Sequence, residues 1–274
     1  MTFPKISLVT PTLNQAGFLP QMLDSIIRQD YPNLEHIVVD AMSTDSTPRI
    51  LESYASRPGV RIIREPDNGQ SDGINKGTRA ATGEIASWLN SDDLLCPGAL
   101  DQMAGAFIKN PGATVICGTG AKVDREGNLI RWVPYRPFNR QHLRTALQVI
   151  QPAIFYKRNI FLEVGGLDCS LNYAMDWDLL IRLARNREVI SIPDKIAQLR
   201  MYEETKTSSG GWDRMREIGM LGRRHNGILD WNYLSLSLRN LVIMSQSNVL
   251  RRVVDAFFWQ ISRHTPLMVS GWPA

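Results

Sequence analysis

Gly83-Glu-Ile-Ala-Ser-Trp-Leu-Asn-Ser-Asp-Asp93 runs from an apolar stretch straight into two carboxylates. Gly83 to Leu89 reads as a short strand buried on both faces, the kind that builds parallel sheets. Two adjacent acids at the edge of such a strand repel each other unless something positive stands beside them. A divalent cation with phosphate oxygens answers that need, because hard cations take oxygen ligands. Taken alone, the pair also fits an ordinary polar turn, since Asn, Asp and Ser are turn residues.

Working back from this stretch, three more buried strands precede it. They are Ile6 to Thr10, His36 to Asp40 and Val60 to Ile63. Helical periods lie between them. Phe18 to Ile27 is apolar at 18, 19, 22, 23, 26 and 27, a 3.6-residue repeat. Ser43-Thr-Asp-Ser-Thr47 offers cap residues to a helix through Ile50, Leu51 and Tyr54. Gly69 to Ala81 reads as a loop entering a helix, and Pro97 to Ile108 as a further helix opened by its proline. Alternating strands and helices predict an α/β fold, a mostly parallel sheet sandwiched by helices. Such sheets bind ligands outside the carboxyl ends of their strands. Here those ends carry Pro11-Thr-Leu-Asn14, Asp40 with Ser43 and Asp45, Glu65-Pro-Asp-Asn-Gly69, and Asn90-Ser-Asp-Asp93.

The chain has 274 residues, 43% hydrophobic and 21% charged, ordinary values for a globular protein. Its 31 Lys and Arg against 27 Asp and Glu leave a net charge of +4. From Gly211 onward, eight arginines face four acids, which accounts for the whole surplus. Residues 1–210 are therefore balanced, which speaks against a nucleic-acid binder. Three scattered cysteines, Cys96, Cys117 and Cys169, form no CxxC pair and suit a reducing compartment. The N-terminus lacks the pattern of a signal peptide.

The chain resembles the inverting family-2 glycosyltransferases of the GT-A, Rossmann-like fold. The resemblance rests on SLVTPTLNQAGFLPQMLDSIIRQDYPNLEHIVVD, STDST and EPDNGQSDGINKGTRAATGEIASWLNSDD. It resumes at QPAIFYKRNIFLEVGGLDCSLNYAMDWDLLIRLA and LRMYEETKT, and covers roughly residues 4–207. It implies a glycosyltransferase domain over 1–210, with a nucleotide-binding half (1–110) and an acceptor half (111–210). A basic helical extension would follow over 211–274.

By that resemblance, Pro11, Thr12 and Asn14 lie against the nucleotide base and Asp40 hydrogen-bonds it. The segment with Asp72 and Lys76 lines the nucleotide pocket. Asp92 faces the ribose and belongs with Asp93 to the metal motif, in which Asp93 holds Mg²⁺ or Mn²⁺ on the diphosphate. Asp176 is the expected catalytic base. The donor would be a nucleotide-diphosphate sugar, and the acceptor a glycan or lipid-linked saccharide of a bacterial surface polymer. The setting would be the cytoplasm, with peripheral contact to the inner face of the plasma membrane. The chemistry suits these residue types. A cation on the diphosphate neutralises a departing charge, and a carboxylate can take the proton of an attacking hydroxyl.

Several residues keep a second reading. Asp176 alone reads as a cap for the helix through Leu179, Leu180 and Leu183. Asp178 reads as structural. Trp177 is a core residue or a sugar-stacking one. Lys76 and Arg79 reach phosphate or are solvated helix charges. Ser43 and Asp45 read as helix caps. Tyr202 stands where relatives commonly place a histidine, and a phenol keeps its proton at neutral pH. Tyr202, Arg200 and Lys206 are the expected contacts to diphosphate or acceptor, or else surface groups. Ala41-Met42 replaces a Gly-Gly common in relatives.

Residues 113–131 read as a strand and hairpin, with strands at Thr114–Cys117, Ala121–Asp124 and Leu129–Trp132. Val249 to Arg263 is amphipathic and basic. It reads as a helix packed on the domain or on a twin subunit in a homodimer, or as a membrane-surface anchor. Two other functions compete with sugar transfer. One is a nucleotidyltransferase, although no Gly-rich phosphate loop opens the chain. The other is a catalytically silent module that binds sugar nucleotides or glycans.

Overall fold

The computed structural model describes residues 3–143, 147 and 149–226. The chain forms two compact units, Met1–Ser209 and Gly210–Ala274. In the second, the described part is one helix, Gly211–Asn226. The amphipathic stretch at 249–263 lies outside the described residues.

The first unit is built on one nine-stranded sheet. Its strands are β1 (Ile6–Thr12), β2 (Leu34–Asp40), β3 (Val60–Arg64), β4 (Ile85–Trp88), β5 (Leu94–Leu95), β6 (Val115–Val123), β7 (Leu129–Trp132), β8 (Ile154–Lys157) and β9 (Val189–Arg200). The helices are α1 (Leu19–Ile27), α2 (Thr47–Tyr54), α3 (Gln70–Ala80), α4 (Ala99–Lys109), α5 (Arg140–Leu143), α6 (Arg158–Glu163), α7 (Met175–Ala184) and α8 (Lys206–Ser209). The strand order is β3-β2-β1-β4-β8-β6-β9-β5, with β7 paired to β6. The expected α/β architecture is present. Its parallel part is the first four strands. β8 then runs antiparallel to both β4 and β6, while β9 lies parallel to β6. The sheet as a whole is mixed.

Every residue of β1 is buried, as a central strand covered on both faces requires. Helix α3 lies close on it. A Cβ at Gly77 would stand 2.4 Å from Val9 Cγ1 and 3.1 Å from Val39 Cγ2, so only glycine fits there without displacing the sheet. The core gathers Leu8, Leu19, Met22, Val38, Leu89, Leu100, Met103 and Phe155. Among the described residues, no helix is long and apolar enough to cross a membrane.

One polar group is sealed within this layer. His36 on β2 is 1% exposed and lies between Thr10 Oγ1 at 2.9 Å and Tyr54 Oη at 2.8 Å. Burial pushes its imidazole down to about 3. Its folded value is depressed, so between about 3 and 6.5 the unfolded chain binds a proton that the folded chain refuses. Stability from this group is full above 6.5 and falls with decreasing pH. It loses about 2 kcal/mol by pH 5. Urea unfolding at pH 7 and pH 5 checks this, and His36→Gln should lose that part of the pH slope.

Candidate active site

The carboxyl ends of β1, β2 and β4 meet at one edge. Thr12 ends β1 in register with Asp40, the end of β2. Both are buried, and Thr12 Oγ1, Asp40 Oδ2 and Gln15 Oε1 have no hydrogen-bond partner. Buried polar atoms are seldom left so. Asp40 Oδ1 accepts the Ser43 amide at 3.0 Å. Arg64 Nε lies 3.2 Å from Asp40 Oδ2 and covers it. Pro11 is buried in the strand itself.

The neighbouring loops are locked together. Asn14, with φ of 54°, accepts the amides of Thr44 and Asp45 on its side-chain oxygen. Ser43 Oγ accepts the Asn14 amide. Asp45 accepts the amides of both Ala16 and Thr47. Ser43 therefore ties two strand-end loops to each other instead of capping α2. Asp45 does both, since Thr47 opens that helix.

The two acids after β4 differ. Asp93 is 1% exposed. Its Oδ1 accepts the Arg200 amide at 2.9 Å, and its Oδ2 accepts Asn90 Nδ2 at 3.1 Å. Burial, and then the Asp92 carboxylate, raise its carboxyl well above the usual range, while those two donors and the Arg200 charge oppose the rise. Asp92 is only partly buried and accepts the Tyr202 hydroxyl at 2.8 Å. Burial and then Asp92 push that phenol up, so it stays a proton donor. The expected cation ligand, Asp93, is thus enclosed in protein contacts, and Asp92 is the acid that faces outward.

Three expected phosphate or nucleotide contacts are turned to other work. Arg200 is 2% exposed. It donates from Nε to Asp92 O at 2.7 Å and from Nη2 to Gln21 Oε1 at 2.9 Å, and Nη1 donates to Arg125 O. Its charge is used to hold the Asp92–Asp93 turn. Lys76 donates to Pro66 O at 2.6 Å and pairs with Glu65 and Asp72. Asp72 accepts the Asn68 amide, and that bond, with Lys76, lowers its carboxyl despite some opposing burial. Both residues brace the β3–α3 loop. Trp177 is buried, with its indole N–H donating to Leu143 O at 2.6 Å.

Asp176 sits in the first turn of α7, partly buried, with Oδ1 accepting the Trp177 amide at 2.8 Å. Asp178 beside it is sealed in an ion pair with Arg182 at 2.7 Å. Two sets of contacts tie Met175 and the segment before α7 to residues beside the acidic pair. In one, Asn90 accepts Gln70 Nε2 at 2.7 Å, and neighbouring Ser71 donates to Met175 Sδ at 2.7 Å. In the other, Tyr202 holds Asp92, and four residues on, Lys206 Nζ donates to Asn172 Oδ1 at 2.7 Å. The sequence reading missed Asn90 and Gln151 as a pair. Gln151 links Asn90 to Trp88 O, and the only signal was their place beside the quoted motifs.

Among the described residues, no three His, Cys, Asp or Glu side chains assemble a metal site by themselves. The donor set is one outward carboxylate with a phenol on it. That fits a hard cation whose remaining ligands come from water and a diphosphate.

The profile described as Glycosyl transferase family 2 matches residues 7–164. The chain belongs to that family. A PGL/p-HBAD biosynthesis glycosyltransferase of Mycobacterium tuberculosis (strain ATCC 25618 / H37Rv) is 34% identical over 195 residues, 70% of this chain and 74% of the relative. Chondroitin synthase of Escherichia coli is 31% identical over 186 residues, 66% of this chain but 26% of the larger protein. Among solved structures, S. aureus TarS residues 1–349 with UDP-GlcNAc has a TM-score of 0.65 at 20% identity, covering 89% of this chain and 74% of that one. The mannosyltransferase PcManGT from Pyrobaculum calidifontis, with GDP-Man and Mn²⁺, has a TM-score of 0.61 at 19% identity, covering 96% and 82%. The family-2 chain is thus a transferase of glycan biosynthesis with the GT-A fold, and the nucleotidyltransferase and silent-module readings fall away.

Proposed function

We propose that this family-2 enzyme moves a sugar from a nucleotide-diphosphate sugar to an acceptor hydroxyl with inversion at the anomeric carbon. The observations that support it are contacts between the neighbours of two acids: Asn90 to Gln70, next to Ser71, which bonds Met175, and Asp92 to Tyr202, four residues before Lys206, which bonds Asn172. On this reading Asp92 suits a cation–diphosphate pair and Asp176 is the second acid of the site. Thr12 Oγ1, buried without a hydrogen-bond partner, and Asp40 Oδ2, held in its ion pair with Arg64, are the polar atoms left to meet the base, once Arg64 leaves Asp40. Asp92 is the residue that would hold Mg²⁺ or Mn²⁺. The cation, when bound, supplies charge neutralisation for the departing diphosphate. Asp93 and Arg200 act behind Asp92 by fixing its turn.

Asp176 takes the proton of the attacking hydroxyl. Its carboxylate is anchored by the Trp177 amide on one oxygen, and the helix N-terminus favours its anionic form. Attack from the face opposite the diphosphate needs only this one base. Donor-bound TarS and PcManGT support the donor class, and the likeness to chondroitin synthase supports a glycan acceptor.

A thermal-shift screen of sugar nucleotides with Mn²⁺ tests the donor class. The cognate donor should raise stability by about 2.7 kcal/mol at about 100 times its Kd. Turnover should release a nucleoside diphosphate, and NMR should show inverted configuration in the product. Release of sugar 1-phosphate, or retained configuration, would overturn the reading.

A further inference from the structure

The β6–β7 hairpin breaks the usual rule for a sheet edge. All four residues of β7 are exposed, with Leu129 and Ile130 each at 55% and Trp132 at 39%. The ladder shifts register between Lys122 and Val123, so Leu129 and Trp132, opposite Val123 and Ala121, share one face, and Arg131, opposite Lys122, lies on the other. Neither face is covered. Beyond the strand, Tyr135 is a further exposed aromatic. Among the described residues β7 pairs only with β6, so no described strand lies on its outer edge. An apolar edge of this kind marks a docking surface or an aggregation hazard.

Charge selects the occupant. From Gly127 to Arg140 the sequence holds three arginines and no acid. Arg131 and Arg136 are exposed, and neither pairs with a carboxylate among the described residues. Lys122 stands opposite Arg131 in the ladder, and Lys195 Nζ lies 3.9 Å from the centre of the Trp132 ring. The nearby acids are Asp194, next to Lys195, Glu126, exposed in the hairpin turn beyond the strand, and Asp124, whose oxygens accept the amides of Glu126 and Asn128 within the turn. Aliphatic side chains, Trp and Tyr with polar handles, and exposed arginines such as Arg131 and Arg136 form the set that settles at a bilayer interface. A second copy of the chain fits less well. Pairing two β7 edges would bring Arg131 of each toward the other.

We propose that β7 and the segment to Arg140 dock on an anionic lipid bilayer, with Leu129, Ile130 and Trp132 at the headgroup boundary and Arg131 and Arg136 on lipid phosphates. The turn of the same hairpin reaches the candidate site. The Arg125 guanidinium carbon lies 5.2 Å from the centre of the Tyr202 ring, and Arg125 O receives the Arg200 guanidinium. Docking here would hold the acidic edge beside the membrane. The inference does not rest on the donor, the cation or the role of Asp176.

Sedimentation of the full chain with vesicles tests it. One set is phosphatidylcholine alone, the other phosphatidylcholine with phosphatidylglycerol. The wild type should pellet with the anionic set and stay in solution with the neutral one. Each arginine near the surface is worth about fivefold, so R131Q/R136Q should lower partitioning roughly thirtyfold. L129S/I130S should lower it by about tenfold or more. These side chains are exposed, so both variants should keep the wild-type circular dichroism and melting point, and either variant alone suffices as the test if the other fails to fold. Unchanged partitioning in a folded variant overturns the proposal, as does a wild type that ignores anionic vesicles or binds both sets equally. A dimer in light scattering that L129S/I130S dissociates without altering partitioning assigns the face to a second copy and also overturns it.

Discussion

Asp176→Asn is expected to slow sugar transfer by roughly 10²–10⁴ while leaving donor affinity within a factor of about two. Asparagine keeps the shape of aspartate and keeps an oxygen for the Trp177 amide, which lies 2.8 Å from Asp176 Oδ1. The first turn of α7 therefore stays as it is. What disappears is the capacity to accept a proton from the incoming hydroxyl. Asp176→Ala should add a cost of about 0.5–2 kcal/mol in stability, because the capping oxygen goes too. Steady-state transfer assays with donor binding by calorimetry separate the two effects. A collapse of donor affinity in Asp176→Asn would place this residue on the donor and remove it from the proton-transfer step.

The first part of the fold, residues 1–110, could be read in the sequence because its strands are short, apolar and central. Ile6–Thr12 is buried at every position, and such a strand has little freedom in composition. Residues 111–210 resisted the same reading. β9 carries Pro193, Asp194 and Lys195 in its middle, all exposed, where the register against β6 shifts. That bulge breaks the period-two signal on which strand recognition depends. β6 reads as two strands because Gly118-Thr-Gly120 interrupts its apolar run. The structure gives those glycines a reason. A Cβ at Gly120 would stand 2.1 Å from Ala197 O, and one at Gly118 would stand 2.1 Å from Ile196 Cγ1. They let β9 approach, and one continuous strand results.

In the site, the residue types were legible but their directions were not. Adjacent residues of a turn face different ways, and nothing in Asp92-Asp93 tells which is enclosed. Arg200 looks like any cation near a phosphate site. Its burial follows from β9 passing beside the β4–β5 turn, a long-range contact invisible in local pattern. Asp72 and Lys76 form an i,i+4 pair on α3, and the same spacing suits a ligand contact and a helix brace equally well. The two sets of contacts to Met175 and the segment before α7 are likewise a property of the folded surface, built from Gln70, Ser71, Tyr202 and Lys206, which lie far from Asp176 in sequence.

The separation of the two acids yields the second large effect. Asp92→Ala should leave the fold within about 1 kcal/mol of wild type, as substitution of a partly exposed group normally does. It should abolish Mn²⁺ binding in the presence of donor, read by electron paramagnetic resonance, and cut transfer by about 10² or more. Asp93→Ala should behave in the opposite way. It strands the Arg200 amide and the Asn90 side-chain amide, both now paired within 3.1 Å. Each buried donor left without an acceptor costs about 1–3 kcal/mol. It also removes the carboxylate beside Arg200, itself 2% exposed. Destabilisation of about 3 kcal/mol or more is therefore expected, measured by urea unfolding, with any loss of activity following from a loosened turn. The pair of variants is informative because each predicts what the other lacks. A stable Asp93→Ala protein that no longer takes up Mn²⁺ would mean that the buried acid turns outward to the cation, and that Arg200 and Asn90 release it when the donor arrives.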